Sequence, residues 1–133
     1  MPDETLYQKG LANRARVFGA DGEERRKVFE RASPDFARSF VTEQVFGGLY
    51  ERKGIDDKTR EAVILAILIA RGMSREIEYH VHAALNVGMT RKDIEEIIMV
   101  SAYYAGGPTP WRPSTPRSTS SRRGGSEGDA IHL

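Results

Sequence analysis

Residues 62–70 read Ala-Val-Ile-Leu-Ala-Ile-Leu-Ile-Ala, the longest apolar run in the chain. Nine residues fall well short of the roughly 20 needed to span a bilayer, so the run is read as a buried helix. From Val63 to Ile69 it is apolar on every side. Such a helix must be surrounded by others, which places it at the centre of a bundle or in a buried subunit interface. Asp56 or Asp57 caps a helix over about Lys58 to Arg71, and Gly72 stops it.

Helix signals continue in both directions, and no stretch alternates convincingly like a strand. Downstream, Ser74 caps a helix to about Val87 that ends at Gly88, with Ile77, Val81, Ala84 and Leu85 on its core face. Thr90 and Asp93 form a capping-box pattern for the next helix. Its inner face is Ile94, Ile97, Ile98 and Ser101, and Gly106-Gly107-Pro108 ends it. Upstream, a helix is predicted from about Asp3 to Phe18 with a stripe of Tyr7, Leu11, Ala15 and Phe18. Gly19-Ala20-Asp21-Gly22 breaks it, and a short charged helix follows to about Ala32. Ser33 and Pro34 open a further helix as N-cap and first residue, carrying Phe36, Phe40, Val41, Val45 and Phe46 up to Gly47-Gly48. The fold class is therefore all-α, a compact bundle of about six helices over residues 1–108.

Residues 109–133 differ in kind. Pro110, Pro113 and Pro116 stand among Ser, Thr and Arg with no apolar periodicity, and Trp111 is the one side chain suited to anchor the segment. By composition it is an irregular tail. Four arginines against Glu127 and Asp129 give it a local charge of +2, which leaves about −1 on the body, for a net charge of +1 over 133 residues. That balance points to neither nucleic acid nor a membrane surface as partner. The acidic start Met1-Pro2-Asp3-Glu4 carries no secretory signal, so the expected location is cytoplasmic. The chain has no cysteine, which removes thiol peroxidase, disulfide-exchange and cysteine-nucleophile chemistry.

Glu76 and His80 stand four apart on one helix and share a face at the edge of its apolar stripe. A carboxylate beside an imidazole can fix its tautomer for proton transfer. Glu61 opens the most apolar helix, directly after Arg60. Desolvation of a carboxylate favours its neutral form, which a proton donor needs. Structural readings stand beside these: a Glu–His pair at this spacing also serves as a surface pair, and Arg60 equally pairs with Asp56 or Asp57. His82 points away from His80, and positions 80, 82 and 132 offer no metal-ligand spacing.

The quoted residues also carry a family likeness. Phe40 to Gly54 (FVTEQVFGGLYERKG), Thr59 to Leu68 (TREAVILAIL), Arg75 to Gly88 (REIEYHVHAALNVG) and Thr90 to Pro108 (TRKDIEEIIMVSAYYAGGP), with a looser match over Tyr7 to Phe18, resemble the carboxymuconolactone decarboxylases of the alkyl hydroperoxidase D-like superfamily. The resemblance covers roughly residues 5–108 and implies an alkyl hydroperoxidase D-like helical fold assembled as a trimer or hexamer. It places the expected active-site histidine at His80. The dithiol positions of the peroxidase branch fall on Met73 and Glu76, so that redox mechanism is absent, while the proton-relaying carboxylate of that branch falls on Glu61. Two departures lie near the expected pocket. Phe46-Gly47-Gly48-Leu49-Tyr50 replaces a W-G-x-x-W stretch, and Glu61 stands where decarboxylase members often carry a small hydroxyl residue.

The resemblance implies decarboxylation of an unsaturated lactone carboxylate from aromatic catabolism, with no cofactor because the lactone is its own electron sink. His80 is then proton donor or oxyanion stabiliser, Glu76 orients it, Glu61 is a second proton-transfer group, and Arg60 clamps a substrate carboxylate. Other expectations are a cysteine-free isomerase or lactone hydrolase, and a non-enzymatic oligomeric scaffold. The tail is a further departure, because the family continues after Gly-Gly-Pro with an Ala-rich helix. The codons of Pro110-Trp111-Arg112-Pro113, read one base earlier, give an apolar residue and then Ala, as such a helix would. The expectation is a frameshift that replaced the terminal helix.

Overall fold

A computed structural model describes residues 4–105. The expectations for the tail, for Trp111 and for the Gly106-Gly107-Pro108 terminator lie outside the described residues. Within them the elements are helices α1 (Glu4–Ala32), α2 (Phe36–Phe46), a short 3₁₀ turn (Leu49–Glu51), α3 (Asp57–Arg71), α4 (Ser74–Asn86) and α5 (Arg91–Tyr104). No strand occurs among them, and no helix is long and apolar enough to cross a membrane.

The predicted break in the first helix is real but narrow. Gly19 alone leaves the helical region, at φ 64° and ψ −154°, a conformation open essentially to glycine, and the chain resumes its helix at once. The side-chain amide of Asn86 donates to the Val17 carbonyl beside the break (3.1 Å), satisfying an acceptor that the kink would otherwise expose. The buried face of α1 is Gly10, Asn13, Arg14, Val17 and Phe18, rotated from the predicted stripe, and Ala15 is exposed. Two polar residues on the inner face hid its phase.

Ser33 interrupts the helix, but no side-chain cap forms at the start of α2. Backbone bonds carry the chain across, from Ser33 N–H to Phe29 O and from Ala37 N–H to Ser33 O (both 2.9 Å). Helix α2 itself is wide, with i to i+5 bonding. The Thr42 hydroxyl and the Gly47 N–H continue that five-residue step to Ala37 O and Thr42 O. Its last carbonyl, on Phe46, accepts from the Asn13 amide at 2.8 Å.

The remaining ends follow local chemistry. Asp56, rather than Asp57, caps α3 by accepting from Thr59 N–H (2.8 Å). Gly72, at φ 67°, closes it in the left-handed conformation. Thr90 and Asp93 form both bonds of the capping box. Ser74 is the first residue of α4 and not its cap, since Met73 precedes it without a side-chain bond.

Helix α3 is the centrepiece. Its two sides serve two apolar clusters, Ile64 packing against Val17, Phe18, Phe46, Tyr50 and Ala83, and Leu65 joining Ala84, Met89 and Ile94. Each large side chain withdrawn from water here contributes about 1.5–3 kcal/mol. Helices α4 and α5 flank α3, while α1 lies along α2 and closes onto α4. On α4 the buried residues are Ala83 and Ala84, whereas Leu85, expected inside, is exposed. One flank of α3 is bare: Val63 and Ile67 are half exposed, next to Val100 of α5. Tyr104, at the end of α5, is 90% exposed.

Candidate active site

The second turn of α3 buries a carboxylate completely: Glu61 is 0% exposed. Both of its oxygens are engaged. The Tyr50 hydroxyl donates to Oε1 (2.6 Å), and Oε2 lies 2.8 Å from Nδ1 of His80. Burial, reinforced by the Glu61 charge, pushes the Tyr50 phenol far above its usual range, so it remains a fixed donor. With Nδ1 held by Glu61, Nε2 is the ring nitrogen left for another partner. Phe18 and Tyr79 meet the imidazole edge to face (5.3 and 5.7 Å between centroids), which fixes the ring plane.

His80 forms part of the wall of a cavity of about 420 Å³. Apolar side chains dominate that wall: Phe40, Val41, Val45 and Phe46 from α2, Phe29 from α1 and Leu68 from α3. Its polar members, besides His80, are Arg14, Arg25, Glu76 and Tyr79. The Arg25 guanidinium lies over the Tyr79 ring (3.9 Å) and pairs with Glu76 at 2.8 Å. Arg14 is 5% exposed and stacks on Phe46 (4.9 Å), and its Nε and Nη1 have no hydrogen-bond partner. The Tyr79 hydroxyl, also shielded, has no acceptor for its proton. Burial raises the Tyr79 pKa despite the opposing charge and hydrogen-bond donation of Arg14, so the phenol keeps its proton. No cluster of three or more His, Asp or Glu suited to a metal ion occurs among the described residues.

The profile of the carboxymuconolactone decarboxylase family matches residues 34–111, more than half of the chain. The chain belongs to the carboxymuconolactone decarboxylase family. Among its relatives in that family, 4-carboxymuconolactone decarboxylase of Acinetobacter baylyi is 32% identical over 109 residues, covering 81% of each chain. Nitrosuccinic acid decarboxylase of Metarhizium robertsii is 30% identical over 107 residues, covering 78% of this chain and 73% of its own. Family and relatives together support an enzyme of the lyase kind. The family's peroxidase-type dithiol is missing, since the chain has no cysteine.

The four residues singled out from the sequence fall in three places. Glu61 and His80 come together. Glu76 reaches the same cavity but is turned to Arg25, so the carboxylate on the imidazole is Glu61, nineteen residues away in sequence and on another helix. Arg60 is buried outside the cavity wall. Its guanidinium donates to Arg52 O (2.6 Å), pairs with Asp57 (3.2 Å) and lies 5.3 Å from the Tyr50 ring centroid. The structural ion pair considered for Arg60 is therefore present, and the cations facing the cavity are Arg14 and Arg25. Arg14 carried a signal in the sequence: with Tyr7, Leu11 and Phe18 it follows the spacing of a single helix face, where a cation interrupts an apolar stripe.

Proposed function

We propose that the chain decarboxylates a small unsaturated lactone carboxylate of the carboxymuconolactone type by acid–base catalysis without a cofactor. The observation that carries this reading is the chain Tyr50–Glu61–His80, which holds one imidazole nitrogen from behind and leaves the other to a largely apolar cavity. In the reaction the bond to the departing carboxyl carbon breaks and carbon dioxide leaves. The electron pair passes through the unsaturated lactone onto its carbonyl oxygen. The step requires the imidazolium: with its Nδ1–H on Glu61, His80 passes its Nε2 proton to carbon as the enolate collapses, becomes neutral, and is reprotonated by solvent. Apolar walls favour this direction, because the charge of a carboxylate is concentrated and that of the enolate is spread.

The same relay would serve an isomerase or a lactone hydrolase, and Glu61 in place of a small hydroxyl residue keeps that second reading in view. His80 is only 17% exposed on a walled cavity, which speaks for catalysis over a scaffold. The bare flank at Val63, Ile67 and Val100 fits a homo-oligomer, expected as a trimer or hexamer and measurable by sedimentation.

The decisive experiment follows carbon dioxide release and lactone consumption over a panel of unsaturated lactone carboxylates. His80→Ala is expected to lower decarboxylation by a factor on the order of 10²–10⁴ with the helical circular dichroism retained. Undiminished turnover removes His80 from the mechanism, while consumption of lactone without carbon dioxide assigns the relay to the other reaction.

A further inference from the structure

The cavity wall carries two guanidinium groups and one carboxylate outside the His80 relay. Arg25 and Glu76 neutralise one another at 2.8 Å. Arg14 is left over. It is 5% exposed, and its Nε and Nη1 are sealed from solvent without an acceptor. Glu23, which feels the Arg14 charge weakly, is bonded to Arg26 instead (2.9 Å). The Phe46 face offers Arg14 only a cation–π contact. A buried guanidinium is costly unless an acceptor meets its N–H groups. Beside it lies the Tyr79 hydroxyl, sealed from solvent, whose oxygen feels Arg14 as a donor and whose own proton has no acceptor. Arg14 N–H groups and a phenol proton, adjacent and without an acceptor on one cavity, describe a site suited to an anion.

We propose that Arg14, supported by the Tyr79 hydroxyl, is the receptor for the carboxylate that the substrate keeps. This rests on the decarboxylase reading and sharpens it. A cation paired with the departing carboxylate would stabilise the charge that the reaction must disperse, and so slow it. The departing group therefore belongs against Val41, Val45 and Phe40, and the retained one on Arg14. The substrate class that follows is a small organic acid with a second anionic group besides the one lost. Arg14 acts here as a binding and orienting residue.

The test uses the full chain and sodium butyrate, one carboxylate with an apolar tail, read by thermal shift and isothermal titration against sodium chloride of equal ionic strength. Butyrate is expected to bind and stabilise the wild-type protein, and Arg14→Met to weaken binding about tenfold or more, as loss of a charge-assisted hydrogen bond implies. In butyrate-free buffer Arg14→Met is expected to melt higher than wild type, because an unpaired buried charge is gone. Arg14→Lys, which keeps the charge without the fork, should bind at an intermediate level and covers the case in which the Met variant does not fold. Absence of butyrate binding to wild type, or equal binding by the variants, overturns the proposal. Arg14-dependent binding in a protein that decarboxylates none of the lactones leaves the anion receptor standing and removes the reaction.

Discussion

The Tyr50 hydroxyl donates to Oε1 of Glu61 across 2.6 Å, joining the turn after α2 to the second turn of α3. That bond occupies one oxygen of a fully buried carboxylate and leaves the other to His80. Tyr50→Phe keeps the ring packed on Phe46 (4.8 Å) and removes only the donor. An unsatisfied buried acceptor costs about 1–3 kcal/mol, so urea unfolding should show a loss of that size with the slope unchanged.

Glu61→Gln separates position from charge. The amide still accepts from Tyr50, but its NH₂ face turned to His80 would favour the tautomer with its proton on Nε2 and a bare Nδ1. Turnover is expected to fall by a factor on the order of 10²–10⁴ while the melting temperature changes little. Nitrogen-15 chemical shifts of the imidazole report the tautomer directly, and an unshifted spectrum with full activity would remove Glu61 from the relay.

At the crossing of α1 and α2, a methyl added at Gly10 would overlap the Thr42 carbonyl oxygen. Neither backbone can give way without opening the helix pair. Gly10→Ala is therefore expected to cost at least the upper part of the roughly 1–3 kcal/mol typical of overpacking, although alanine is the better helix former. A stability equal to wild type would show that the two helices do not approach so closely.

Acid should loosen the helix starts first. The bond from Thr59 to Asp56, and that from Thr90 to Asp93, hold both carboxyls below the ordinary aspartate value of 3.8. A folded-state pKa below the unfolded one adds stability that is full above the unfolded value and is lost as pH falls through the folded value. Urea midpoints from roughly pH 5 to pH 2 should therefore decline, and decline less steeply in Asp56→Asn and Asp93→Asn. A parallel decline in the variants contradicts the assignment.

What could be read from the residues alone was whatever depends on neighbours in sequence. Asp56, Gly72 and the Thr90–Asp93 box mark helix ends through bonds spanning three or four residues, and each acts where its residue type suggests. The partner of His80 was misread for the complementary reason. Spacing brings Glu76 to the same face, but Arg25, 51 residues away, takes it, and only the packing of α3 against α4 brings Glu61 to the ring. The phase of α1 was hidden by Asn13 and Arg14, polar residues that a search for apolar stripes passes over. The wide turn of α2 has no sequence mark that we can name.

Gly19 is a single torsional break between two cations, Arg14 before it and Arg25 after it. The second half of α1, with Phe29 and Arg25, reaches the cavity only because the chain turns there. A residue with a Cβ would be strained in that conformation, and a straightened helix would swing this half off the wall. The shape of the wall that this half contributes thus depends on the backbone at Gly19, which is not itself part of the lining. A change in how the break is held, such as loss of the Asn86 amide bond to the Val17 carbonyl, should therefore reshape the cavity without altering any residue that lines it.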